Sequence, residues 1–132
     1  MIALDTNVLV RFLVQDDAKQ AAAATSLIQR SSRKAPAWLS REVMIETVWV
    51  LESAYDRSPA EISNVLFGLL EAEEIIIEEA SDVAVAAEAY GVAGADFADH
   101  MIAAAAIRSG AETIYTFDQK AARHNFATFL VK

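Results

Sequence analysis

The chain has 132 residues, with no cysteine, only four glycines and two prolines, and a formal net charge of −8. This length fits one domain with a substantial core, and no Gly-, Ser- or Pro-rich linker divides it. The absence of cysteine excludes disulfides and thiolate metal sites. The acidic balance lacks the basic surface of a simple nucleic-acid-binding module. No segment has the features of a signal peptide or a bilayer span, so we expect a cytoplasmic protein with no membrane partner.

Hydrophobic periodicity predicts strands that alternate with helices. In chain order we expect a strand at 1–5, helices at 7–14 and 17–30, a strand at 35–39, helices at 40–55 and 58–72, a strand at 74–78, a helix from 81 or 82 that breaks near Gly91 and Gly94, a helix at 96–110, a strand at 113–117, a short helix at 118–123 and a strand at 128–131. This order predicts a single α/β domain with a central, mainly parallel sheet flanked by helices on both faces.

Two predicted strands each end on an aspartate near a threonine. Asp5 and Thr6 follow the first strand, and Thr116 and Asp118 close the strand at 113–117. Ligands of open α/β sheets bind at the carboxyl ends of strands, so these carboxylates are expected to meet at one edge. Crowded carboxylates repel unless a proton or a cation intervenes, and all-oxygen ligand sets suit Mg²⁺ or Mn²⁺. The pattern therefore predicts a metal site.

Each acidic residue of this pattern also has a structural interpretation. Asp5 and Asp118 are possible helix caps, and Asp96 with Asp99 resembles a capping box. Asp99 precedes a segment that is apolar almost all round, so its helix is expected to be buried. Glu46 lies in the most apolar part of its own helix, where a charge needs a partner. The positions of Asp99 and Glu46 therefore favour a functional role for these two residues.

Other residues carry weaker signals. Trp38 and Trp49 are expected in the core, and His100 and His124 are expected to be packing or surface residues. Glu42 and Glu52 are expected to be solvated or to lie at the rim of the site. Several basic residues are concentrated in the first third of the chain and leave room for a cationic rim around an acidic site. They include Arg11, Arg30, Arg33, Lys34 and Arg41.

Four segments in this order resemble the PIN-domain nucleases, and specifically the VapC-type toxins of bacterial toxin–antitoxin pairs. They are residues 1–9, 46–51, 96–103 and 116–118, which read MIALDTNVL, ETVWVL, DFADHMIA and TFD. Each motif alone is weak, but the four together, with the expected helices and strands between them, span nearly the whole chain.

The resemblance implies a family quartet of acids at Asp5, Glu46, Asp99 and Asp118, with Asp96 as an additional acid. Thr6, Asn7 and Thr116 match the supporting polar positions of the family. The implied protein is a Mg²⁺- or Mn²⁺-dependent endoribonuclease. It is expected to form a homodimer and to be inhibited by a small antitoxin protein. Metal-activated water as the nucleophile implies products with a 5′-phosphate and a 3′-hydroxyl.

Three other classes are alternatives. A receiver-type phosphoacceptor domain has a similar size, but it requires an acidic pair beside the strand-end aspartate and a lysine after a late strand. A haloacid-dehalogenase-like phosphatase would have a second aspartate two residues after Asp5, where Asn7 stands. The third class is a non-catalytic interaction module with a PIN-like fold, which the presence of all four acids disfavours.

Overall fold

The computed structural model describes residues 1–93, 96–123 and 126–130. The elements in chain order are β1 (Ile2–Ala3), α1 (Thr6–Val14), α2 (Ala18–Gln29), β2 (Ala37–Leu39), α3 (Arg41–Ser53), α4 (Pro59–Glu71), β3 (Ile75–Ile77), α5 (Ala80–Ala93), α6 (Phe97–Ser109), β4 (Ile114–Thr116), a 3₁₀ helix (Ala121–Arg123) and β5 (Ala127–Phe129). None of the described helices is both long and apolar enough to cross a membrane.

All strand pairs in the described part of the chain are parallel. One sheet has the order β1-β2-β3, and β4 pairs with β5 in a second, two-stranded sheet. Residue 37 of β2 lies opposite Ile2 on one side and opposite Ile75 on the other. The chain forms a single α/β domain, as the sequence predicted. The expected central sheet is present as two parallel sheets.

The core forms where helical and strand periodicities turn apolar side chains toward each other. Leu9, Leu39, Met44 and Met101, from α1, β2, α3 and α6, are fully buried. In β3, Ile75 and Ile77 point inward while the residue between them is exposed, which is the period-two pattern of a strand with one face covered. The core thus joins elements from α1 to α6.

The expected helix break near Gly91 is wrong, because α5 continues through this position to Ala93. A Cβ placed on Gly91 would lie 2.6 Å from the Ser63 Oγ atom of α4. The Ser63 hydroxyl donates a 3.0 Å hydrogen bond to the Ala87 carbonyl of α5. The glycine therefore permits two helices to approach closely. Gly94 and His124, for which the sequence also made predictions, lie outside the described residues.

The helix starts are well explained by local chemistry. At Ser58 a complete capping box precedes α4, with Glu61 as its second member and Pro59 at the first helical position. By contrast, α5 starts at Ala80, one or two residues before the expected start at 81 or 82. It follows Glu79, whose φ of 51° is left-handed.

Candidate active site

Asp5 lies directly after β1 and forms the N-cap of α1. Its Oδ1 atom accepts a 2.8 Å hydrogen bond from the Thr6 backbone N–H, and its side chain is exposed. The capping interpretation of this residue is therefore realised. Capping occupies one carboxylate oxygen with a local donor and holds the carboxylate at the start of α1.

Asp96 forms the N-cap of α6. Its Oδ1 atom accepts a 3.2 Å hydrogen bond from the Asp99 backbone N–H. Asp99 is half-buried in the first turn of this helix. The expectation that α6 is buried all round is wrong, because Ile102 and Ile107 are each 54% exposed. Burial alone therefore gives weaker support for a functional Asp99 than the sequence suggested.

Asp118 and Thr116 interact with each other at the end of β4. The Asp118 backbone N–H donates a 3.0 Å hydrogen bond to Thr116 Oγ1, and Asp118 Oδ1 accepts a 2.8 Å bond from the Lys120 N–H. The threonine hydroxyl thus fixes the backbone that carries the carboxylate. Asp118 is exposed and precedes the 3₁₀ helix, so its capping role is also present.

Glu46 is exposed, and the expectation that it lies buried in the apolar part of α3 is wrong. The helix turns Thr47 and Val48 into the core and leaves Glu46 on the opposite side. The apolar neighbours in the sequence belong to another face of the same helix, since adjacent helical positions point in different directions.

Glu46 and Asp96 line one cleft of about 430 Å³ between α3 and the start of α6. The other residues that line it are Glu42, Ile45, Val48, Trp49, Glu52, Phe97 and Ala98. The cleft therefore joins an apolar surface to carboxylates from two elements that are about 50 residues apart in the chain. Like charges in this arrangement favour a cation or hydrogen-bond donors as occupants.

Trp49 is 64% exposed in this cleft, so its expected place in the core is wrong. It follows Glu46 by three residues, and Glu52 follows it by three more, which places them on one side of α3. The buried Tyr90 hydroxyl of α5 donates a 2.7 Å hydrogen bond to Glu52 Oε2. The available sequence signal was the repeat of three residues from Glu46 to Trp49 and from Trp49 to Glu52.

Two buried threonine hydroxyls flank the predicted acids in the sequence. Thr6 and Thr47 are 4% and 0% exposed, and neither Oγ1 atom has a hydrogen-bond partner among the described residues. Asn7 is exposed and lies in a separate groove of about 330 Å³ between α1 and α2, together with Arg11 and Leu27. Thr6 and Asn7 therefore point in different directions from the same turn.

No lysine or arginine is among the described residues that line the cleft, so a cationic rim stays a prediction. Arg11 binds Gln20 and Asp16. Arg33 pairs with Glu73, and Arg41 donates to the Met101 carbonyl and pairs with Asp82. The partners of these three arginines do not line the cleft.

Within residues 1–93, 96–123 and 126–130, no group of three His, Cys, Asp or Glu side chains is placed to hold a metal ion together. The chemistry of the carboxylate donors nevertheless fits a hard divalent cation. Mg²⁺ commonly binds through one or two carboxylates, with waters and substrate phosphates as its remaining ligands. Glu46 and Asp96 line the same cleft and are of the residue type that this mode of binding uses.

A sequence model of the PIN domain family matches residues 2–127 of the chain. Comparisons with curated proteins and with solved structures gave no match. PIN domains are generally metal-dependent nucleases and typically bind divalent ions such as Mg²⁺. The match spans all the described helices and four acids in the expected order, and we conclude that the chain belongs to the PIN domain family.

Proposed function

We propose that this PIN domain is a divalent-metal-dependent endoribonuclease that acts as the toxin of a VapC-type toxin–antitoxin pair in the cytoplasm. The observation that carries the proposal is the cleft in which Glu46 of α3 and Asp96 of α6 lie together. Both are acids that the sequence motifs single out, and distant segments contribute them.

The proposed site comprises the acids Asp5, Glu46, Asp99 and Asp118, with Asp96 as an additional ligand. A divalent cation held there would activate water and offset the charge of the scissile phosphate. The carboxylates position the cation and its waters. No side-chain nucleophile is required, so the proposed products carry a 5′-phosphate and a 3′-hydroxyl.

The supporting residues act on the acids through the backbone. Thr116 Oγ1 accepts a hydrogen bond from the Asp118 backbone N–H and thereby fixes the backbone that carries the Asp118 carboxylate. Thr6 supplies the N–H that Asp5 accepts, and Asn7 belongs to the same first turn of α1. Their proposed role is to hold carboxylates in place.

We further propose a homodimer and a small antitoxin partner. Large hydrophobic side chains are exposed on α5 and α6, and contiguous patches of this type mark association sites. They are Val85, Val92, Ile102 and Ile107. The acidic cleft suits a basic side chain of the antitoxin, and the groove between α1 and α2 suits an apolar segment.

A non-catalytic PIN-like interaction module is the second candidate. The observation in its favour is that the described acids do not form a three-residue metal cluster. The receiver-type alternative has no support in a chain that belongs to the PIN family.

One experiment separates these candidates. The purified chain is incubated with single-stranded and structured RNA in Mg²⁺, in Mn²⁺ and in chelator, and the product ends are analysed. We expect cleavage with either ion, 5′-phosphate ends and no cleavage in chelator. RNA left intact under all three conditions, or equal cleavage in chelator, contradicts the nuclease proposal.

The toxin role needs a second measurement. The chain is expressed with and without its neighbouring open reading frame, and growth, RNase activity and mass in solution are compared. Growth arrest that the neighbour relieves supports a toxin, as does a dimer that the neighbour converts into a larger, inactive complex. A harmless monomer whose RNase activity the neighbour does not change contradicts the toxin role and leaves a nuclease.

A further inference from the structure

The cleft contains an aromatic side chain that the proposed metal chemistry does not use. Trp49 is 64% exposed, although tryptophan is highly buried on average in folded proteins. The adjacent Val48 is buried, so the helix that carries the indole is held firmly against the core. A large flat apolar surface therefore stands in the same cleft as Glu46.

The charges of the cleft restrict what this surface can bind. Its described polar side chains are the carboxylates Glu42, Glu46, Glu52 and Asp96. Where no bound cation offsets their charge, these groups repel a phosphate, but they accept hydrogen bonds from the N–H groups of a neutral base. Beside Trp49 and Glu52, away from the proposed cation at Glu46 and Asp96, a nucleobase is therefore the part of an RNA strand that fits. Bases of single-stranded RNA commonly stack on aromatic side chains in this way.

Glu52 is the carboxylate that is best fixed for reading such a base. Its Oε2 atom accepts a 2.7 Å hydrogen bond from the Tyr90 hydroxyl, and Tyr90 is only 2% exposed. Tyr90 also contacts Phe97 edge to face, with the ring centres 6.3 Å apart. The tyrosine thus connects Glu52 to the start of α6. The remaining acceptor capacity of the Glu52 carboxylate is available to a ligand, since an ionised carboxylate accepts at about four positions.

We infer that Trp49 and Glu52 form a base-binding subsite for RNA, in which Trp49 stacks on a guanine and Glu52 accepts from its N–H groups. The Watson–Crick edge of guanine carries two adjacent donors, N1–H and the N2 amino group, which match a carboxylate. Uracil presents one donor between two carbonyl oxygens, and those oxygens are repelled by the same carboxylate. The subsite rests on the proposed nuclease function and adds a preferred base next to the cleaved bond.

The test measures cleavage of short single-stranded RNAs that differ at one position, which is G, A, C or U. For Trp49→Ala we expect KM to rise about 5- to 150-fold, the range that corresponds to losing one stacked base, with a smaller change in kcat. Trp49→Phe should recover part of the loss. Glu52→Gln should reduce the preference for G over U. Tyr115→Ala is a matched control, because Tyr115 is 65% exposed and lies in β4, away from the cleft.

A binding measurement gives a readout that does not depend on catalysis. The chain has two tryptophans, Trp38 and Trp49. In chelator, where we expect no cleavage, titration of the protein with a G-containing oligoribonucleotide should quench the fluorescence of Trp49. The Trp49→Phe variant retains Trp38 and therefore measures the fluorescence change that Trp38 alone contributes. Quenching that is absent, or equal in the two proteins, contradicts the inference.

The outcomes separate this inference from the proposed function. RNA cleavage with an unchanged KM in Trp49→Ala overturns the subsite and leaves the nuclease intact. Neither cleavage nor binding of RNA by the unmodified chain overturns both. If Trp49→Ala weakens only the binding of a basic protein partner, the cleft is a protein interface and the subsite is overturned.

Discussion

The Tyr90 hydroxyl of α5 donates a 2.7 Å hydrogen bond to Glu52 Oε2 of α3. This contact joins a core side chain to a carboxylate of the cleft. Tyr90 is 2% exposed, whereas Glu52 is exposed, so the bond crosses from the interior to the surface. It provides a direct link between the stability of the domain and the geometry of the candidate site.

The ionisation of Tyr90 should affect stability at high pH. Burial, followed by the hydrogen bond to Glu52 and the nearby negative charges, raises the pKa of Tyr90 above its ordinary value of about 10. At pH values between about 10 and the raised pKa of Tyr90 in the folded chain, the unfolded chain has lost the tyrosine proton and the folded chain retains it. The stabilising contribution of Tyr90 is therefore complete below about pH 10 and is lost as the pH rises further.

The measurement for this prediction is urea unfolding at about pH 8 and about pH 11, for the original chain and for Tyr90→Phe. The phenylalanine variant has no proton to lose at this position, so its free energy of unfolding should fall less between the two pH values. A parallel decline in both proteins contradicts the raised pKa of Tyr90.

We expect alanine to have opposite effects on stability at two helical glycines, because α5 approaches α4 closely at Gly91 and open space surrounds Gly68. At Gly91 the new Cβ would lie 2.6 Å from Ser63 Oγ, so Gly91→Ala should destabilise the domain by about 1–3 kcal/mol. At Gly68 of α4 nothing lies within 4 Å of the Cβ position. Gly68→Ala should therefore stabilise the domain by about 0.5–1 kcal/mol through higher helix propensity.

Unfolding of the two variants by urea at neutral pH checks this pair. The comparison controls for the general effect of alanine in a helix, since both positions are helical. Equal stabilisation by both substitutions is the result that the packing interpretation does not allow.

Removal of divalent cations should abolish the proposed RNase activity without unfolding the domain. Among the described residues, the buried side chains are apolar except for Thr6, Thr47 and Ser63, so this core is held by apolar packing and does not depend on a metal. Asp99→Asn should inactivate the enzyme and leave the metal-free domain equally or more stable, because it removes a negative charge next to Asp96. Circular dichroism melting in chelator measures the fold. A large fall in Tm in chelator would indicate a structural ion.

The fold class follows from the sequence because the alternation of apolar strands and amphipathic helices extends over the whole chain. The helices predicted at 17–30, 40–55 and 58–72 are confirmed, and the observed N-caps Asp17, Ser40 and Ser58 explain where they start. Gly91 was misread as a helix break, because its role depends on Ser63 in another helix. A tertiary contact of this type leaves no local pattern.

The candidate site was predicted less completely than the fold. Motif order selected Glu46 and Asp96, which line one cleft, but the apolar sequence around Glu46 wrongly suggested burial. Trp49 was assigned to the core by residue type alone, although it is exposed. Which face of a helix is covered depends on its neighbours, and the composition of a short segment does not determine it. The shared role of the four acids stays a prediction.

The central claim is that a carboxylate selected by the motifs carries out metal-dependent RNA cleavage, and the most direct test compares two helix-capping aspartates. Asp5 accepts from the Thr6 N–H, and Asp17 accepts a 2.9 Å bond from the Gln20 N–H at the start of α2. Both are exposed N-caps, so substitution by asparagine preserves an N-cap oxygen at either position. The measurement is the Mg²⁺-dependent rate of RNA cleavage for Asp5→Asn and Asp17→Asn. We predict that Asp5→Asn abolishes cleavage while Asp17→Asn retains the original rate. Full activity in Asp5→Asn, or equal loss in both variants, would contradict the account.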